Sequence, residues 1–429
     1  MTQSGNGVVA NNIKRLSRID MAGGGQVIVK GDYAYIGHMD PPHGTTILDI
    51  SDPRKPKTVA HIKLADNFSH SHKVRVNGDI MIVNVEQFDR HFFHLGSRIP
   101  ETRAKLEAAL GHPASDAEIA KQLKVEASDI PVLDQAQKRG YHDGGFKVYD
   151  ISDRTNPKQL AHHKTAGFGT HRFDADERYA YISTEMEGYI GNILVIYDMN
   201  NPEHPEEVSR WWMPGQHLAG GETPTWRGYR NRLHHALRQG DKLWASVWQA
   251  GLRVLDISDI SKPTSVGEYN YHPPILEPSH TFLKVPFPVD GRDVAVVIDE
   301  EHDYIPGQPH ACLWVFDVTD LGNIHPLSSF HVSEMDSPWS RLVSKADRFG
   351  AHQFQEHFED TKIYATWFAG GLRVVDIKNP SLPVEVASFI PEPGKGAKTP
   401  QSNDVEVDDR GLIYMIDRVN GFDILELTV

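Results

Sequence analysis

The sequence repeats one short motif seven times along its length. Each copy is a run of apolar and β-branched residues that reaches an acidic residue, and in most copies a Pro- and Asp-rich turn follows. The copies begin at Thr45, Gly144, Asn192, Ala250, Ala311, Gly370 and Gly421. An apolar run followed by a tight turn is typical of a β-strand. The chain therefore predicts a body built from seven similar strand units.

Each unit contains further strand-like runs on both sides of the motif. A short outer run follows the turn, as in KTVAHIKL from Lys57, and an inner pair precedes the motif, as in HKVRVNGDIMIVNV from His72. Four strands per unit predict an all-β fold, a seven-bladed β-propeller that comprises residues 1–429 as one domain. The last copy lacks an outer run, and residues 12–23 fit that pattern. We predict that residues 12–23 form the outer strand of blade seven and close the ring, which removes two sheet edges.

The motif also carries a family resemblance. The runs LRVLDISD, LRVVDIKN and LVIYDMNN resemble the LVIVD repeat, a family taken to form propeller blades. The likeness extends over nearly the whole chain, and it implies the propeller fold. It implies no activity, because propellers serve as enzymes, binding scaffolds and structural proteins.

Composition narrows the classes of function. The net charge of −14 opposes non-specific binding to nucleic acid or anionic membranes, because phosphates must be met by Lys and Arg. The single cysteine, Cys312, excludes a disulfide within the chain, and no apolar run is long enough to span a bilayer. The polar start does not resemble a signal peptide. We expect a cytoplasmic protein that acts on a small molecule, and the sequence leaves homo-oligomerisation open.

Most of the additional sequence falls in loops on one side of the predicted ring, here called the top face, where the inner strands start. The largest insertion, residues 87–143 in blade two, contains two segments of helical composition, residues 100–110 and 116–123, with Ser115 as a candidate N-cap. Long loops on one face of a rigid scaffold often carry function. We interpret the insertion as a partly helical lid on the top face, with simple packing decoration as the alternative.

Histidine recurs at one position of the units. Alignment by the inner turns places histidine at the first position of the inner strand in five of the seven units. The seven residues are Gly25, His72, His171, His235, His280, His352 and Asp404. Inner strands start around the mouth of the central channel, so these imidazoles are expected to converge there. Convergent neutral imidazoles are typical ligands of iron, copper, zinc and nickel, and we predict that the five histidines bind a metal ion.

Carboxylate residues recur at a second position of the units. Glu86 and Glu185 lie at the same spacing after their histidines, and Glu300 takes the equivalent place in blade five. With Asp404, they are predicted to accept the second N–H of metal-bound histidines or to bind the metal directly. The arrangement is similar in kind to that of the carotenoid-cleavage oxygenases, propellers in which four histidines hold iron and glutamates support them, although the sequences are not similar. The fifth histidine and Asp404 depart from that pattern, which leaves room for another metal, a second ion, or a histidine that acts as an acid or base.

Two kinds of function fit these residues. A metalloenzyme would use iron or copper for oxidoreductase or oxygenase chemistry on a small organic substrate, or a metal-activated water for hydrolase or lyase chemistry. We favour iron or copper over zinc, because hydrolytic zinc sites often need only three protein ligands. Arg227 and Arg230, on a top-face loop, are candidates to bind an anionic group of the substrate. The alternative is a non-catalytic scaffold that docks a protein partner on its top face and whose histidines are structural.

Overall fold

A computed structural model describes residues 2–3, 7–226, 230–302, 305, 308–344 and 347–429. Across these residues the strands form seven antiparallel sheets arranged as a β-propeller, so the predicted fold class is confirmed. Each sheet is one blade. In blades one to five the strands follow chain order from the channel outward, and blades six and seven add N-terminal strands at their outer edges. No helix in the described part of the chain is long and apolar enough to cross a membrane.

The strands of each blade are given from the channel outward. Blade one contains Gly24–Lys30, Tyr33–His38, His43–Asp49 and Lys57–Lys63; blade two contains Ser69–His70 with Val74–Asn77, then Ile80–Gln87, Gly145–Asp150 and Lys158–Lys164; blade three contains Thr170–Ala175, Tyr179–Thr184, Ile193–Asp198 and Glu206–Trp211. Blade four contains His235–Gln239, Lys242–Ser246, Leu252–Asp256 and Thr264–Tyr269; blade five contains Ser279–Lys284, Val294–Asp299, Leu313–Asp317 and His325–Phe330. Blade six contains Ala351–Phe354, Lys362–Trp367, Gly371–Asp376 and Val384–Ile390, extended at its outer edge by Val9–Asn11 and Thr2–Gln3; blade seven contains Ser402–Val407, Leu412–Asp417, Asn420–Leu427 and Ile13–Ala22.

The repeated motif forms the third strand of each blade. Its side chains are buried on both faces, as Leu372, Val374 and Val375 show in blade six, because each blade packs between two neighbours. This explains why the motif is a continuous apolar run instead of an alternating one.

The acidic residue at the end of the motif fixes the turn that follows. In blade six the Lys378 N–H donates to Asp376 Oδ1 at 2.8 Å, a local side-chain bond that initiates a turn. Blades one to five repeat this bond at Asp49, Asp150, Asp198, Asp256 and Asp317. The recurrence of Asp in the motif therefore has a local geometric cause.

The insertion in blade two is helical and has its own apolar core. Its helices span Arg90–His94, Ile99–Leu110, Asp116–Leu123 and Asp129–Arg139, with a 3₁₀ turn at Leu95–Arg98. Ser115 caps the third of these through a capping box with Glu118. Buried Ile99, Ile119 and Leu133 belong to the core between the helices. Further short 3₁₀ turns lie at Leu218–Gly220, Leu321–Asn323, Glu334–Asp336 and Ser340–Leu342.

The strand Ile13–Ala22 pairs with the last strand of the chain and completes blade seven. A buried carboxylate joins the two strands: Asp423 lies 2.7 Å from Arg15 Nε and 2.8 Å from Arg18 Nη1. Burial raises the pKa of Asp423 to about 6, although the two guanidinium charges oppose the rise. The pairing joins residues far apart in sequence, so this charged cluster helps to hold the ring closed.

We expect Asp423→Ala to lower the free energy of unfolding by about 3 kcal/mol, because it removes a buried carboxylate and leaves the part-buried guanidinium groups of Arg15 and Arg18 with only Glu392 as a partner. Denaturant unfolding followed by circular dichroism measures this. Asp409→Ala, an exposed position in the same blade, is the control and should change stability by less than about 0.5 kcal/mol. Equal effects of the two substitutions would contradict the assigned role of Asp423.

Candidate metal centre

A cavity of about 450 Å³ lies at the top-face end of the channel. Much of its lining is histidine, namely His70, His72, His91, His171, His234, His280, His302 and His352. Glu86 and Glu300 also line it, and residues 88–91 at the start of the insertion form one wall. Its volume suits a small organic molecule.

Strand bulges direct several of these histidines toward the channel. The inner-strand pairing shifts between Thr170 and Arg172, which leaves His171 as the additional residue. The same shift occurs around His280 in blade five and His352 in blade six. A bulge changes the direction of the side chain of its additional residue. The same kind of bulge therefore places an imidazole at the channel mouth in three blades.

The structure differs from the sequence alignment in blade four. His234 lines the cavity, whereas His235 lies below it, buried, with its Nδ1 3.6 Å from Glu356 Oε1. Blade four has no bulge here, because the pairing runs without a shift from His235 opposite Ser246. The signal was in the sequence: His72 and His234 lie the same number of residues before the turn glycines of their inner hairpins.

Blade seven differs from the alignment in the same way. Its bulge lies between Ser402 and Asp404, so Asn403 takes the ring position. Asp404 lies in the layer below, where its Oδ2 accepts the Val27 N–H at 2.8 Å. Burial raises the pKa of Asp404, which therefore contributes less negative charge than a surface aspartate.

Glu86 is a buried anchor for two histidines. It lies 3.0 Å from His70 Nε2 and 3.0 Å from His171 Nδ1, and it pairs with Arg90 of the insertion. Burial alone would raise the pKa of Glu86, but the charge of Arg90 and the hydrogen bond from His70 outweigh it and hold the pKa at about 2. Glu86 is therefore ionised and fixes which nitrogen of His171 carries hydrogen.

Glu300 faces imidazoles without touching them. Its carboxylate oxygens lie 4.0 Å from His280 Nε2 and 4.0 Å from His352 Nε2, while Arg348 Nη1 donates to Oε1 at 2.6 Å. Burial acts to raise the pKa of Glu300, but the nearby positive groups, His302 and Arg348 first, lower it well below its ordinary value. An ionised carboxylate at this distance from an imidazole nitrogen such as His352 Nε2 is suited to share a metal ion with it.

Of the remaining predicted residues, Glu185 and Arg230 do not line the cavity. Glu185 accepts the Phe168 N–H at 2.9 Å in the neighbouring loop, and burial raises its pKa. Arg230 is exposed, and its backbone N–H donates to Gln249. Arg227 lies outside the described residues. Among the described residues, the arginines that line the cavity are Arg90, at the start of the insertion, Arg348, and Arg418, which follows the second strand of blade seven as Glu300 follows that of blade five.

His70 also lines the cavity. The inner strand of blade two is broken between Ser69–His70 and Val74–Asn77, and His70 belongs to the first of these two pieces. Both ring nitrogens of His70 face protein oxygens, the Met39 carbonyl at 3.0 Å and Glu86 at 3.0 Å. His70 thus lines the cavity but has no free nitrogen for a metal.

The Nε2 atoms of His171 and His234 face each other. His171 Nδ1 faces the Glu86 carboxylate, and His234 Nδ1 lies 2.7 Å from the His280 carbonyl oxygen. Both oxygens only accept, so each Nδ1 carries the hydrogen. Burial lowers the pKa of both imidazoles well below the ordinary value, and in the neutral form of each ring the lone pair is on Nε2. These two Nε2 atoms are 3.0 Å apart.

His72 has the opposite tautomer. The Asn84 Oδ1 accepts the Lys73 N–H at 2.8 Å, which orients the amide so that its Nδ2 donates to His72 Nδ1 at 3.1 Å. Because Nδ1 accepts, the hydrogen of neutral His72 is on Nε2, which lies 4.0 Å from Glu86 Oε2. His72 therefore presents an N–H, not a lone pair, to the cavity.

His352 and His280 complete the ring. The Nδ1 of His352 donates to the Asn403 carbonyl, which leaves a lone pair on Nε2. His280 Nδ1 is 3.0 Å from Thr281 Oγ1, and its Nε2 accepts from Arg172 Nη1 at 3.1 Å. His280 therefore already has a cationic donor at the nitrogen that would bind a metal.

In the described part of the chain, ligand distances alone mark two groups that could hold a metal ion. They are His70, His72 and Glu86 on one side and His234, His280 and Glu300 on the other, each with ligand atoms within 4.8 Å of one another. The tautomers separate them. In the first group neither histidine offers a free lone pair to a metal. Both ring nitrogens of His70 face protein oxygens, and His72 presents an N–H. In the second group His234 has a lone pair available and Glu300 is ionised, and His171 and His352 flank it.

The fold and the repeats together define the class of this protein, a seven-bladed β-propeller. The chain carries LVIVD repeats at residues 24–62, 240–271 and 363–390, which confirms the resemblance seen in the sequence.

Solved structures with the same architecture include a chain of the mitotic checkpoint complex, which is 8% identical with a TM-score of 0.54 and coverage of 98% of this chain and 94% of that one. The C-terminal WD40 domain of Sif2 is 9% identical with a TM-score of 0.52 and coverage of 96% and 97%. At these identities the likeness concerns the fold alone. No curated protein matches the sequence.

We expect Glu86→Gln to lower the free energy of unfolding by about 2 kcal/mol, because it removes the buried charge that Arg90, His70 and His171 share. Chemical denaturation is the measurement. Glu185→Gln is a matched control, since burial already opposes its charge and an amide oxygen can still accept the Phe168 N–H; we expect a change below about 0.5 kcal/mol. If both variants lose the same stability, Glu86 is not the anchor described here.

Proposed function

We propose that this protein is a metal-dependent oxidoreductase whose metal ion binds in the top-face cavity and whose substrate is a small organic molecule. The observation that carries the proposal is the pair of Nε2 atoms of His171 and His234, which are 3.0 Å apart while each Nδ1 faces an oxygen that only accepts. Two neutral imidazoles with these tautomers would bring two lone pairs together, and a shared metal ion or a shared proton relieves their repulsion. Two nitrogens bound to one metal ion at about 2.1 Å and at a right angle are about 3 Å apart, so the observed spacing fits shared coordination.

His171, His234 and His352 would hold the metal, with Glu300 as the carboxylate ligand. His280 would join them only if Arg172 released its Nε2. A site of several imidazoles and one carboxylate is of the kind that iron and copper occupy. Iron or copper bound there would supply redox chemistry.

The surrounding residues would serve that metal in distinct ways. The Glu86 carboxylate fixes the tautomer and orientation of His171, and Arg348 orients Glu300. His72 presents its Nε2–H to the cavity and can give a proton to a bound substrate. The first helix of the insertion, which begins at Arg90, forms a wall of the cavity and limits the access of water.

We expect protein purified without a metal-binding tag to contain iron or copper in near-stoichiometric amount by elemental analysis. His234→Ala should lose at least about nine-tenths of it, because removal of one direct ligand weakens metal affinity by about tenfold or more. His235→Ala is the control, a buried histidine next in sequence that lies outside the cavity, and it should retain the metal.

The element found also separates the alternatives. Zinc in place of iron or copper would favour hydrolase or lyase chemistry at the same ligands. If the native protein binds none of these ions even after incubation with each, the metalloenzyme proposal is wrong, and a scaffold that docks a partner on its top face becomes the better account.

A second comparison uses the tautomers within the ring. We expect His72→Ala to retain metal, because His72 presents an N–H, whereas His352→Ala should bind it about tenfold more weakly or worse, because its lone pair is lost. Competition with a chromophoric chelator measures both affinities. Loss of metal from His72→Ala with retention in His352→Ala would reverse the assignment.

A further inference from the structure

A second group of histidines lies outside the cavity, near the top-face edge of blade one. The rings of His38, His43 and His61 have their centres between 5.2 and 5.7 Å apart, and none of the three belongs to the described lining of the cavity. His38 is buried, His43 is half-buried and His61 is exposed. Three imidazoles from three strands of one sheet thus extend from the interior to the surface.

A bulge places two of these histidines on the same side of the sheet. Thr46 lies opposite His61, and the pairing shifts after His43, which leaves Gly44 as the additional residue. Residues three positions apart in a regular strand point to opposite faces, so the additional residue brings His43 to the face of Thr46 and His61. A Cβ on Gly44 would lie 2.8 Å from the Ile62 carbonyl oxygen, so the bulge depends on glycine.

Hydrogen bonds that start at the backbone fix the tautomer of the buried histidine. His38 Nδ1 lies 3.1 Å from the carbonyl oxygen of Ala22 and 3.3 Å from that of Gly23, and both oxygens only accept. Burial lowers the pKa of His38 to about 4, so the ring is neutral and its Nε2 holds the lone pair. The Thr46 hydroxyl, 2.7 Å away, therefore donates to His38 Nε2.

The same chain of hydrogen bonds fixes the exposed histidine. Because the Thr46 hydroxyl gives its one hydrogen to His38, its oxygen accepts the Nδ1–H of His61 at 2.8 Å. In the neutral form of His61 the lone pair is then on Nε2, and burial is the main cause that lowers the pKa of this ring. His61 Nε2 lies 3.2 Å from His43 Nδ1. A histidine that binds a metal usually donates its other N–H to a fixed acceptor, and His61 does so.

We propose that His43 Nδ1 and His61 Nε2 bind a copper(II) ion at the surface of blade one, with water in its other coordination positions. Two nitrogens at about 2.1 Å from one ion and near a right angle are about 3 Å apart, which agrees with the observed spacing. Imidazoles suit copper, nickel and zinc, and copper(II) binds most strongly in that series. The site shares no residue with the metal centre proposed in the cavity and does not depend on it.

Copper(II) titration of the full chain tests the proposal. Protein without a metal-binding tag is treated with chelator and dialysed, and electron paramagnetic resonance then counts the copper ions that have nitrogen ligands. We expect His61→Ala to bind one equivalent fewer than the wild type. Thr46→Val should bind that ion about tenfold more weakly, because the hydroxyl that holds His61 is lost, and Thr46→Ser should restore the affinity.

His162→Ala is the matched control. His162 has the same place in the outer strand of blade two, but Lys147 lies opposite it and its Nε2 faces the Asp143 carbonyl oxygen at 2.9 Å. This variant should bind as much copper as the wild type. The proposal is overturned if His61→Ala also does so, because His43 then only donates a hydrogen bond to His61. Equal losses in His61→Ala and His162→Ala would overturn it as well, since any exposed histidine would then suffice.

A chelated-copper resin separates this site from the cavity, because an ion fixed to a resin cannot reach buried ligands. We expect the wild type and His234→Ala to be retained equally, whereas His61→Ala should elute at a lower imidazole concentration. Retention of His61→Ala as strong as that of the wild type would contradict the surface site and leave the cavity proposal unaffected. Failure of the cavity to bind metal would likewise leave the retention of the wild type unchanged.

Discussion

Closure of the ring is the constraint on which every other feature depends. The strand Ile13–Ala22 pairs with Asn420–Leu427, so the first and last parts of the chain share one sheet. A closed ring holds the starts of the inner strands at fixed places around the channel. Residues from different blades can then be presented within one hydrogen-bond length of each other, as His171 and His234 are, although they are 63 positions apart in the chain. No local sequence motif is required for such a site, because the scaffold sets the geometry.

Much of the fold and part of the site could be predicted from sequence. The repeats predicted the blades because each third strand is buried on both faces and ends in an Asp-initiated turn, and both properties leave a strong pattern. The residues that lie at the mouth of the channel were predicted less accurately. A bulge adds one residue to an inner strand without changing its apolar pattern, so His235 and Asp404 were aligned where the structure has His234 and Asn403.

The tautomers and ion pairs could not have been predicted at all. Whether His72 offers an N–H or a lone pair depends on Asn84, which in turn is oriented by a backbone N–H. Arg90 and Arg348 reach Glu86 and Glu300 from loops whose conformations are not encoded by periodicity. The site thus depends on contacts between segments that have no regular spacing in the chain.

The way in which the insertion is attached has an evolutionary consequence. It leaves the second strand of blade two after Gln87 and returns at Gly145, and these strands are already paired to each other, with Val85 opposite Gly145. Its two ends are therefore held together by the sheet, and its helices bury an apolar core of their own. A segment of this kind can change in length or sequence while the blades keep their register. Descendants of one ring could in this way acquire different cavity walls, and hence different preferences among small molecules, without rebuilding the histidines beneath.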